Sequence, residues 1–70
     1  MEKERKMRFL EVYQNLPLNE RKNTILVLET KEKDKIKKEP ISWDIAFIEI
    51  KQETLIGEKI LNKLIKLNLI

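Results

Sequence analysis

Hydrophobic and polar positions alternate along this chain with more than one period, and each period predicts a different element. Phe9, Val12, Tyr13 and Leu16 stand at i, i+3, i+4 and i+7, with Met7 and Leu10 beside them. That spacing predicts a helix over about residues 2–15. Glu4 and Arg8 form an i,i+4 pair in the favourable order. Pro17 ends the helix by disfavouring the α conformation of Leu16. A polar connector follows, in which Asn19 and Asn23 suit the two ends of one short helical turn.

From Thr24 the period changes. Ile25, Leu26, Val27 and Leu28 form an uninterrupted apolar run, which predicts a strand covered on both faces. Lys31-Glu32-Lys33-Asp34-Lys35 reads as a charged turn, and Ile36 to Ile41 as a poorer returning strand. Pro40 confines that strand to a sheet edge, because proline has no N–H for the ladder. Lysines and proline on an edge also discourage edge-to-edge aggregation. The hairpin therefore spans about 24–41.

Ser42 to Thr54 supports two readings. As a helix, Ser42 is the N-cap, Asp44 lies near the positive end of the dipole, and Trp43, Ala46, Phe47 and Ile50 make one stripe. Ile45 and Ile48 fall off that stripe. As a strand, residues 45–50 have suitable β-branched and aromatic content. The helix is the preferred reading. Leu55 to about Leu69 is strongly amphipathic: at 100° per residue, Ile56, Gly57, Ile60, Leu61, Leu64, Ile65 and Leu67 share one arc. Glu58, Lys59, Asn62, Lys63 and Lys66 share the other. Thr54 is a candidate N-cap, and a single long helix from Trp43 with Gly57 as its soft point is the alternative.

The pattern thus predicts an α+β fold, mostly helical, in one small domain. An N-terminal helix precedes a short β-hairpin, with one or two C-terminal amphipathic helices over about 43–69. The expected core is Phe9, Val12, Tyr13, Leu16, Ile25, Val27, Trp43, Phe47, Ile50, Ile60, Leu61 and Leu64.

Composition narrows the chemistry. The chain has no Cys and no His, which removes disulfides, the usual zinc sites and the usual bases of nucleophilic catalysis. Its only glycine is Gly57, so no phosphate-cradling loop or dinucleotide fingerprint is present. Ser42 is the only serine, and its capping role accounts for it. Glu49 and Glu53 could share a helix face and offer oxygen ligands to Mg²⁺, but a solvated face is the simpler account. No enzyme and no cofactor is expected.

Charge adds little that is specific. Fifteen basic and twelve acidic residues leave +3, too small a surplus for a committed nucleic-acid binder. The excess gathers at the N-terminus and in residues 31–39. Lys31, Lys33, Lys35, Lys37 and Lys38, with the helix lysines Lys59, Lys63 and Lys66, are the candidate contacts for weak, sequence-independent nucleic-acid binding. The aromatic residues occur at helical spacing among aliphatics, which favours the core over base stacking. Enrichment in Lys, Glu and Ile suits an AT-rich prokaryotic genome and is shared with thermophiles. No apolar run reaches membrane-spanning length and no signal-peptide pattern opens the chain, so a cytoplasmic protein without membrane contact is expected.

Chains this short usually need a staple, and without Cys or His oligomerisation is the common device left. The first functional expectation is therefore a non-enzymatic interaction module. It would self-associate or dock on a larger protein through Ile56, Gly57, Ile60, Leu61, Leu64 and Ile65. Gly57 in that arc suggests close approach of another backbone.

Overall fold

Two side-chain caps set the boundaries of the C-terminal half. Ser42 Oγ accepts the N–H of Ile45 at 3.2 Å, and Thr54 Oγ1 accepts the N–H of Gly57 at 2.9 Å. Each hydroxyl satisfies one of the donors that a helix leaves free at its start. In the computed structural model, which describes all of residues 1–70, the elements are α1 (Lys3–Gln14), β1 (Thr24–Glu32), β2 (Lys35–Ser42), α2 (Trp43–Lys51) and α3 (Leu55–Lys66). The architecture is α+β: three helices and one antiparallel hairpin.

The stretch from Ser42 is helical. Ala46 and Ile50 of its stripe are fully buried, and Trp43 and Phe47 are half-buried. Ile45 and Ile48, the residues that do not fit the stripe, are the exposed ones.

The break between α2 and α3 lies at Glu53, and Gly57 is inside α3. Glu53 adopts φ 54°, its N–H bonds Ile50 O, and the N–H of Thr54 bonds Glu49 O at 3.2 Å. These paired bonds form a Schellman motif. The same motif closes α3, with Asn68 at φ 57° and the N–H of Leu69 bonded to Leu64 O at 2.9 Å. Asparagine tolerates the left-handed region, but glutamate pays for its Cβ there. Glu53→Gly should therefore raise stability by about 0.5–1 kcal/mol despite losing surface contacts to the N-terminal amine and Lys6. Urea unfolding of the two proteins measures this, and an unchanged or lower midpoint would count against strain at Glu53.

The core is one cluster of Phe9, Leu26, Ile41, Ala46, Ile50, Ile60, Leu61 and Leu64. Leu26, Ile41 and Ala46 were not expected in it. Val27 was expected there and is 42% exposed. The reason is parity in the hairpin. Leu26 pairs with Ile41 on the face turned to the helices, and Val27 pairs with Pro40 on the opposite face. A register irregularity between Thr24 and Leu26 sets this phase, and only one face of β1 is covered. Val12, Tyr13, Leu16 and Ile25 are half-buried at the margin. On α1, Arg5 pairs with Glu2 at 3.1 Å in place of the expected Glu4–Arg8 pair.

Candidate interaction surface

The apolar arc of α3 packs chiefly inward. Gly57, Ile60, Leu61 and Leu64 are buried within the single chain, and Ile65 is half-buried against the core. Ile56 alone of the six expected contact residues is exposed, at 45%. Within the chain, α2 supplies the backbone that Gly57 admits, and Ile56 is what this face leaves open. A Cβ at Gly57 would overlap Glu49 O and lie 2.5 Å from the Glu49 carbonyl carbon and 2.9 Å from Ile50 N.

Around that contact the polar groups are engaged. Thr54 Oγ1 donates to Glu49 Oε2 at 2.5 Å, while Glu53 faces the N-terminal amine and Lys6. Glu49 and Glu53 therefore point to different partners and do not form the paired oxygen site weighed from their spacing.

The aromatic residues stack among themselves. Tyr13 lies on Phe47 with centroids 4.4 Å apart and planes 9° apart. Arg21 sits 4.4 Å from the Tyr13 ring centre, and Lys51 5.5 Å from that of Phe47. Cations attend both rings, so the pair does not offer a bare platform for bases.

Tyr13 also donates its hydroxyl proton to Asp44 Oδ1 at 2.6 Å. That bond, then burial, then the Asp44 charge raise the tyrosine pKa, with Arg21 opposing. The folded chain holds the proton more tightly than the unfolded chain. This contribution to stability is present below the ordinary value of 10.0 and is lost as pH rises through the higher folded value. Ultraviolet titration of this single tyrosine should show phenolate forming at higher pH than in Asp44→Ala. Coincident curves would show that the hydrogen bond contributes nothing.

The hairpin is where the chain is most open. Residues 29–40 are all exposed, and they form an arm extending from the helical body. Its lysines lie together on this arm but not on one face. By the strand register, Lys35 and Lys37 share the face of Leu26, while Lys31 and Lys38 share that of Val27. Lys33 lies in the two-residue turn at φ 58°. Residues 31–38 hold five lysines and two acids, but Glu29 and Glu39 flank them, so the arm as a whole carries +1. On α3, Lys59 and Lys66 are exposed, and Lys63 Nζ donates to Val27 O at 3.1 Å. Lys63 thus ties the helix to the root of the arm.

Two surface features were missed from sequence: the exposed pair Ile45 and Ile48 on α2, and the free edge of β1. The off-stripe position of the isoleucines was a usable signal; the edge required the strand register. No helix is long and apolar enough to cross a membrane. Comparison with family models, with curated proteins and with solved structures finds no match.

Proposed function

We propose that this chain is a small non-enzymatic interaction module that associates with a second copy of itself. The observation that carries the reading is the distribution of apolar side chains. Ten large hydrophobic residues are exposed, Ile45, Ile48, Leu55 and Ile56 among them, against eight buried hydrophobic residues. Scattered exposed aliphatics are normal, but a surplus over the core in so short a chain favours a partner.

Surface area supports the same reading. The chain exposes 5511 Å², whereas a compact monomer of its mass should expose about 4,700 Å². The excess of about 800 Å² reflects the extended hairpin arm, which leaves surface that a partner would cover in part. Light scattering after size exclusion, across about a thousandfold range of concentration, tests the proposal. A mass rising from one copy toward two is expected. A single-copy mass throughout would remove self-association.

A second reading has its own observation, the five exposed lysines of the hairpin tip. Under it the arm would contact phosphates without sequence preference. Binding to duplex or single-stranded nucleic acid would then fall steeply between about 50 and 200 mM salt. The interleaved acids Glu32 and Asp34 and the division of the lysines between two faces make it the weaker reading.

A further inference from the structure

We infer that the partner docks along the free edge of β1, forming a two-fold antiparallel pair centred on Thr30; this rests on the self-association proposed above. Three observations agree on which backbone groups point outward. The turn between Glu32 and Lys35 has two residues, so that pair exchanges ladder bonds and its neighbours alternate. By that alternation Val27–Pro40, Glu29–Lys38 and Lys31–Ile36 do not exchange bonds. Pro40, which has no N–H to give, stands at one of these positions. Val27 O, at the same pair, accepts Lys63 from outside the ladder.

The two edges are consequently unequal. β2 turns Ile36, Lys38 and Pro40 outward, and the proline interrupts it, as edges protected against pairing do. β1 turns Val27, Glu29 and Lys31 outward. Lys63 occupies the carbonyl of Val27, while the backbone groups of Glu29 and Lys31, turned outward by the register, make no bond to a loop, a cap or a side chain.

Register then identifies a second copy as the fitting partner. In a two-fold pair centred on Thr30, Glu29 faces the partner's Lys31 and Lys31 faces the partner's Glu29. Each of these pairs exchanges two backbone hydrogen bonds, and threonine faces threonine at the axis. Thr–Thr and opposite-charge pairs are among the stabilising cross-strand combinations. Centring on Glu29 or Lys31 would set like charges opposite each other, and centring on Leu28 would set Val27 against Glu29. The product is a closed four-stranded sheet in the order β2-β1-β1-β2, with both outer edges the protected ones. It also relieves the weakness of the arm, since an isolated two-stranded hairpin is marginal in water. So short a pairing makes a weak, concentration-dependent dimer.

A charge exchange tests the register. Glu29→Lys alone and Lys31→Glu alone each place like charges opposite each other twice, and each should weaken self-association roughly tenfold. Mixed together, the two variants present lysines to glutamates at both contacts and should associate about as well as the wild type. Thr30→Cys is independent of charge. Facing residues at the axis would lie about 4.5 Å apart at Cα, within disulfide range, so mild oxidation should cross-link this variant and leave Lys37→Cys unlinked. Circular dichroism of each variant confirms that it is folded. Self-association that ignores the swaps, or a Thr30→Cys chain that does not cross-link, overturns the β1 edge and leaves self-association standing. A wild type that remains single-copy at every concentration overturns both.

Discussion

Replacing Gly57 with alanine should lower stability by about 2 kcal/mol and the melting temperature by about 10 °C. Helix propensity alone gives the opposite sign, because alanine in a helix interior is favoured over glycine by about 1 kcal/mol. The reversal comes from α2. The added methyl would meet the backbone of Glu49 and Ile50 far inside van der Waals contact. A flexible side chain could swing aside, but a helical backbone moves only if the whole helix shifts. That shift would disturb Ile50 and Ile60, both fully buried, and the cap that Thr54 makes at the start of α3. Overpacking of a close-packed site typically costs 1–3 kcal/mol, and a backbone obstacle puts this site at about 3, which leaves a net loss of about 2 kcal/mol after the gain in propensity. Urea denaturation of the two proteins decides the sign. A raised midpoint in Gly57→Ala would mean that the α2–α3 contact is looser than the structure has it.

The same glycine shows how far the sequence could be read. Its place in the apolar arc of α3 already indicated a close backbone contact, and that contact exists. What covers the arc was not legible, because a period of 3.6 marks a face and is silent about its partner. Two caps, Ser42 and Thr54, were legible from residue type, since a hydroxyl before an apolar helical run has few other uses. The turn that joins α2 to α3 was not: Glu53 holds a left-handed conformation that glutamate rarely adopts, so no residue preference announced it. In the hairpin, the apolar run 25–28 revealed a strand but not its covered face. That depends on a one-residue irregularity near Thr24, and a shift of one residue exchanges the faces. The open edge of β1 follows only once that register is known. It could not have been read from a pattern in which the lysines were the conspicuous feature.

Phe9→Ala should be the most damaging single change outside α3, with a loss of about 3–5 kcal/mol. Phe9 is the one fully buried residue that α1 contributes, and it is 0% exposed. Its ring lies 6.1 Å from that of Tyr13 and 6.0 Å from that of Trp43, so it joins α1 to the start of α2 through aromatic contacts. Tyr13 adds a stack on Phe47 and a hydrogen bond to Asp44, and the remaining links of α1 to the C-terminal helices are exposed polar ones, such as Arg5 to Asn62 and Lys6 to the carbonyl of Lys51. Exposed bonds of that kind contribute little each. A domain of this length has about 4–10 kcal/mol of stability in total, so the loss approaches the whole. Phe9→Leu keeps most of the volume and should lose much less, which separates a packing role from any requirement for an aromatic ring. Trp43 reports the change directly, because its fluorescence should shift to the red as α1 lifts away. If Phe9→Ala costs under about 1 kcal/mol and Trp43 is unaltered, α1 is held by Tyr13 and its polar contacts instead.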